Sequence, residues 1–231
     1  MTATVLAIET STNACSVALQ QGNDVLSRHE VAARRHGELL LPWVQQLLAE
    51  AGITVSQLDA IAVSRGPGAF TGVRIGVAAA QGLAMSYDLP AVTLSSLAIC
   101  AQGAYRITGA SQQLVAFDAR MGELYWAEVL VEAAGQLRLQ HESVIAPEVI
   151  QLPSSTGWLA VSDGWASYPD LMTRAKDYLL PEQAAIGLLP NALDLLTLAQ
   201  TEIAAGRMVA AESIQPVYLR NNVAEKPKNS A

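Results

Sequence analysis

Between residues 65 and 76 the chain reads Arg-Gly-Pro-Gly-Ala-Phe-Thr-Gly-Val-Arg-Ile-Gly, and few folds accept such a stretch. Gly66, Gly68, Gly72 and Pro67 crowd into seven residues, giving a turn whose backbone reaches left-handed angles and comes close to whatever lies opposite. The apolar run 58–64 before it reads as a buried strand, and 73–87 after it as a helix with Thr71 at the N-cap position. A glycine-rich turn feeding a helix N-terminus suits an anion, because free N–H groups and the helix dipole both favour negative charge. The spacing G-x-G-x-x-x-G is one residue too long for the dinucleotide fingerprint, and no Lys-Ser/Thr pair follows as in a P-loop. An anion site and a plain turn both stay open on these residues.

Along the following helix Gly72, Gly76, Ala80 and Ala84 recur every four residues and form a nearly side-chain-free stripe. Each glycine inside a helix costs about 0.5–1 kcal/mol against alanine, so close packing is expected, either on the chain's own sheet or on a second chain. A helix over 36–51, closed by Gly52, carries Leu40, Val44, Leu47, Leu48 and Ala51 on one side and has Pro42 in its early turns. Leu39, Trp43 and Gln46 add a neighbouring stripe, more apolar surface than one face requires. The two helices, 36–51 and 72–86, are therefore the expected partner surface, with His36, Leu40, Trp43, Leu47, Gly72, Arg74, Gly76 and Ala80 as its residues.

Composition supports a covered surface: of 231 residues, 51% are hydrophobic and only 15% charged. A formal net charge of −7 argues against direct nucleic-acid binding, which rests on Lys and Arg neutralising phosphates. Cys15 and Cys100 lie in apolar surroundings and read as buried free thiols in a reducing compartment. No stretch approaches the roughly 20 apolar residues of a membrane span, and the N-terminus lacks the pattern of a signal peptide. A soluble cytoplasmic protein is expected.

In the rest of the chain one strand-turn-strand pattern recurs, without enough internal similarity to establish a duplication. Strands at 4–8, 15–20 and 25–31 form a meander with a turn at 10–13; a strand at 90–94 and a Ser-capped helix at 95–105 follow. The polar segment 108–113 is the expected boundary between lobes 1–108 and 109–231. Strands at 114–118, 123–131 and 137–144 repeat the opening pattern, with a further strand and turn at 161–165, a helix at 191–205, a tail at 214–222 that folds back, and a frayed end at 225–231. Asp118, Arg120 and Glu123 cluster at the second hairpin, where they suit either a metal-bound nucleotide or pairing across the turn.

The stretch 65–76, together with Ile8-Glu9-Thr10-Ser11-Thr12, residues 118–123 (Asp-Ala-Arg-Met-Gly-Glu) and residues 216–221 (Pro-Val-Tyr-Leu-Arg-Asn), resembles the bacterial TsaB (YeaZ) family of the ASKHA superfamily. The resemblance covers nearly the whole chain in order. It implies an α/β fold of two ASKHA lobes, actin-like or sugar-kinase-like, with mixed sheets flanked by helices. It further implies a non-catalytic subunit in forming N6-threonylcarbamoyladenosine (t6A) at position 37 of tRNA, bound to a TsaD-type catalytic subunit and a TsaE-type ATPase, homodimeric alone, and touching tRNA only through the complex. Glu9, Thr10, Ser11, Asp118 and Arg120 would line a vestigial nucleotide cleft, with Glu9 where the family usually has Asp. TsaD-type proteins carry His-x-x-x-His where this chain has His36 and Leu40, and His29 and His141 do not restore the pair, so no metal and no cofactor are expected. The alternative is a standalone ASKHA-type ATPase or phosphotransferase; a metalloprotease fails on the missing second His.

Overall fold

A computed structural model describes residues 2–132, 135–181 and 184–220. The first lobe contains β1 (Val5–Glu9), β2 (Ala14–Gln21), β3 (Asp24–Val31), α1 (His36–Ala51), β4 (Ala60–Ser64), α2 (Phe70–Tyr87), β5 (Ala91–Leu94) and α3 (Ser96–Thr108). Its sheet runs β3-β2-β1-β4-β5, with β1 antiparallel to β2 and parallel to β4. Both faces of β1 and β4 are covered, which is why these strands are continuous apolar runs instead of alternating ones. Leu6, Ile8, Ile61 and Val63 face a core shared with α1 and α2, whereas Val5, Ala7, Ala60 and Ala62 face the opposite side.

The second lobe contains β6 (Gln112–Arg120), β7 (Glu123–Val131), β8 (Leu137–Ile145), β9 (Leu159–Val161) and the short helices α4 (Gly164–Ser167) and α5 (Pro169–Ala175), and leads into α6 (Ala192–Ala204). Its sheet runs β8-β7-β6-β9, with β6 antiparallel to β7 and parallel to β9. Each lobe therefore opens with an antiparallel meander whose first strand then takes a parallel neighbour, the two-lobed mixed-sheet arrangement expected of an ASKHA fold. Between the sheets lies α3: Leu97, Cys100, Ala101 and Ala104 pack with Val115, Phe117 and Ala127, while Ile99 packs with the first lobe.

Three expectations change. The division at 108/109 separates the sheets but not the packing, because α6 returns to the first lobe, where Leu195, Leu196 and Ala199 bury against Val5, Ala7 and Ala60. Val209 then pairs with Ala91, and Ala211 and Ile214 enter the first lobe's core. Thr71 is not the N-cap: α2 begins at Phe70, Ala69 holds the cap position, and Thr71 is exposed in the first turn. The helix end is fixed by the β1–β2 hairpin instead, since Ala69 N donates to Ser11 O at 2.7 Å and Thr10 Oγ1 donates to Gly72 O at 2.8 Å.

The small-residue stripe packs on the chain's own sheet and hairpin. A Cβ on Gly72 would lie 2.2 Å from Thr10 O, and one on Gly76 would lie 2.4 Å from Thr10 Oγ1. Ala80 and Ala84 are fully buried in the same core, and so are Leu40 and Leu47 of α1. As residues of an outer partner surface, Leu40, Leu47, Gly72, Gly76 and Ala80 are thus corrected: they are spent on internal packing. His36 is also buried, its Nε2 within 2.9 Å of Thr12 O and 3.1 Å of Ala14 O. Both partners are carbonyls, so Nε2 carries the proton and ties the start of α1 to the first hairpin. Trp43 is half-buried against the core, and Arg74 alone of the set stands in the open. The tail folds back as far as Arg220; Asn221, Asn222 and the frayed end expected at 225–231 lie outside the described residues.

Candidate functional site: the cleft between the lobes

A cleft of about 550 Å³ opens between the β1–β2 hairpin, the N-terminus of α2, the β6–β7 hairpin and the returning tail. Its walls carry Ser11, Thr12 and Asn13 from the first hairpin, Phe70 and Arg74 from α2, and Phe117, Asp118, Arg120 and Tyr125 from the second sheet. Asp163 contributes from the turn after β9, and Val217 to Arg220 from the tail. The two hairpins expected to face one another across an ASKHA cleft do so.

On the first-lobe side the hairpin packs against the glycine turn. A Cβ on Gly68 would lie 2.1 Å from Ser11 O, so the glycine turn is in backbone contact with the hairpin and glycine is required there for the approach. The turn packs on its own chain, while Gly68 and Ala69 also border the cleft beside Ser11, Thr12 and Asn13. Glu9 is fully buried beneath it, with Ser11 N donating to Oε1 at 2.6 Å and Oε2 unpartnered among the described residues. Burial raises its pKa above the ordinary 4.5, against the opposing pull of Ser11. A carboxyl held toward its neutral form and away from the cleft is poorly suited to gripping a divalent cation. Among the described residues, no three His, Cys, Asp or Glu side chains converge as a metal site.

On the second-lobe side the carboxylates are accessible. Asp118 accepts from Arg120 N at 2.8 Å and from its guanidinium at 3.1 Å, which is the pairing across the turn. Asp163 Oδ1 accepts from Asp118 N at 3.2 Å; burial raises the Asp163 pKa, and the adjacent Asp118 carboxylate adds to the rise. Gly164 follows because a Cβ there would meet Ala116 O at 2.7 Å. At the mouth, the Arg74 guanidinium stacks 3.3 Å from the Phe70 ring centroid and donates through Nε to the Tyr218 hydroxyl at 2.8 Å. Arg220 closes the far side, donating to Glu123 at 2.9 Å and to the Ala119 and Arg120 carbonyls at 3.1 and 3.2 Å.

Of the residues that sequence reasoning brought to one cleft, Ser11, Asp118 and Arg120 line it, whereas Glu9 and Thr10 are buried beneath the first hairpin. It marked the turn at 161–165, which carries Asp163, without naming that residue for the site, and it missed Tyr125, Tyr218 and Arg220 as wall residues. Only the 216–221 motif hinted at the last two, without a role.

Known proteins place this architecture in a family. The family model described as "TsaD: tRNA N6-adenosine threonylcarbamoyltransferase" matches residues 22–228. The tRNA threonylcarbamoyladenosine biosynthesis protein TsaB of Escherichia coli strain K12 is 44% identical over 226 residues, covering 96% of each chain. Its counterpart in Haemophilus influenzae is 39% identical, again covering 96% of both. Among solved structures, YeaZ from Pseudomonas aeruginosa is 44% identical, with a TM-score of 0.83 over 94% of this chain and 100% of that one. With an architecture and a sequence shared along nearly its whole length, the chain belongs to the TsaB (YeaZ) family of tRNA threonylcarbamoyladenosine biosynthesis proteins.

Proposed function

We propose that this chain serves t6A formation at tRNA position 37 as a non-catalytic subunit. In this reading it binds and activates a TsaD-type threonylcarbamoyl transferase in the cytoplasm, together with a TsaE-type ATPase. The observation that carries the reading is the buried carboxylate: Glu9 lies beneath the first hairpin, held by Ser11 N, instead of facing the cleft. A phosphotransferase of this fold needs that hairpin and that carboxylate for the phosphates and their metal ion, so the chemistry falls to a partner.

A surface for that partner is available on the outer side of α2. Phe70 is 57% exposed and Met85 61%, and between them Arg74, Ala78 and Gly82 are exposed, with nothing within 4 Å of a Cβ on Gly82. Leu41 of α1 is half-exposed as well. An apolar helix face with small residues at its centre lets a second helix come near. The row displaced by two residues from the expected stripe is therefore the one that suits a homodimer of the isolated chain and a heteromer with the transferase. Activation follows if the bound face favours one conformation of the partner over another. With a net charge of −7, the chain meets tRNA through its partners.

Light scattering on the chain alone, and mixed with the TsaD-type protein of the same organism, tests this. The expected result is a dimer that converts to a one-to-one heteromer, with Ala78→Arg abolishing both while leaving the melting temperature in place. A monomer indifferent to the transferase, or ATP hydrolysis by the chain alone that is lost in Asp118→Asn, would overturn the reading in favour of a standalone ATPase.

A further inference from the structure

We propose that the C-terminal segment 214–220 is a strap that clasps both lobes across the mouth of the cleft and couples their relative positions. Its lower end belongs to the first lobe. Ile214 is buried in that lobe's core, and Gln81 Nε2 of α2 donates to the Ala211 and Ile214 carbonyls at 3.3 and 3.4 Å. Val217 N donates to Arg65 O at 2.8 Å, and the Tyr218 hydroxyl accepts from Arg74 while its ring lies 6.2 Å from that of Phe70.

Two residues later the same segment is anchored on the second lobe. The Arg220 side chain is only 15% exposed and pairs with Glu123 at the start of β7. It also donates to the Ala119 and Arg120 carbonyls at the tip of the β6–β7 hairpin. That tip needs the support: Arg120 and Met121 hold left-handed φ of 62° and 57°, which non-glycine residues seldom take. Arg120, Met121 and Gly122 are three successive left-handed residues, and Arg220 bonds the carbonyl of the first of them and that of Ala119 just before it. A surface loop passing by chance would not end on a charge-assisted, multiply bonded anchor in the opposite lobe. Because the connection is one short chain, tension or release at one lobe passes to the other, and the strap sets how far the cleft opens.

Native-state amide exchange on the full chain separates a strap from two local contacts. Glu123→Gln weakens only the second-lobe anchor, and its remote readout is the Val217 amide on the first lobe; Tyr218→Ala weakens the first-lobe anchor and is read at the Arg120 amide, which donates to Asp118. The strap predicts exchange faster by roughly tenfold or more at the remote amide in both variants, the scale set by losing one charge-assisted or aromatic-backed hydrogen bond from a local opening equilibrium. Amides of β1 serve as the control for global stability and keep their wild-type rates. Changes confined to the mutated end in both variants would overturn the proposal, as would equal acceleration at β1.

Discussion

Replacing Gly72 with alanine tests the claim that the small residues of α2 are there for the hairpin and not for a partner. The new Cβ would sit 2.2 Å from Thr10 O, where ordinary contact begins at 3.4 Å, and the obstacle is backbone that cannot swing aside. Helix and hairpin must part by roughly 1 Å, enough to weaken two buried hydrogen bonds, Ala69 N to Ser11 O and Thr10 Oγ1 to Gly72 O. Each contributes about 1 kcal/mol net, and forcing atoms into a packed site costs about 1–3 kcal/mol more. The expected loss is therefore about 3 kcal/mol, which in a chain of this size lowers the melting temperature by roughly 6–12 °C. Gly82→Ala, on the same helix but with nothing near its Cβ, gives the opposite sign: a gain of about 0.5–1 kcal/mol from helix propensity alone. Urea unfolding followed by circular dichroism measures both. A Gly72→Ala midpoint at or above wild type, or a Gly82→Ala loss of similar size, would refute the reasoning.

Two further outcomes follow from buried ionisable groups. Glu9 has a folded-state pKa raised above its unfolded value, so the native state resists its ionisation: below 4.5 both states hold the proton and no difference exists, whereas stability falls as pH rises through the folded pKa. Glu9→Gln lacks this loss while its amide oxygen still accepts from Ser11 N, so its advantage over wild type should grow from acid to neutral pH in unfolding titrations; a penalty independent of pH would contradict the burial argument. Desolvation pushes the Cys15 thiol up to about 12 and the Cys100 thiol higher still, so neither forms thiolate at neutral pH. A water-soluble disulfide reagent should label neither in the native protein and both in urea, and rapid native labelling of either would show that the core opens.

Much of the architecture was legible as pattern. The apolar run 58–64 read as a buried strand and is one over Ala60–Ser64, covered on both faces, and Gly52 ended α1 where its left-handed φ of 68° requires. Spacing also marked Gly72, Gly76, Ala80 and Ala84 as a close-approach row, but a period of four says only that something comes near. The direction of that row depends on how α2 is rolled about its axis, which is set by the contacts of Thr10 and Ser11, more than 50 residues earlier in the chain.

Thr71 shows the same limit at a single residue: it has the right chemistry for a cap, yet the hairpin already fixes the helix end, and the cap position falls two residues earlier, at Ala69. By itself the sequence determined most of the element order up to residue 145 and the family, because these are written in local periodicity and in motifs read along the chain, whereas the short helices α4 and α5 carry no such pattern. Only the tertiary structure decided which face of α2 is free, that α6 and the tail return to the first lobe, and that Arg220 meets Glu123. Each of these joins residues far apart in sequence, through packing and charge contacts that no local pattern encodes.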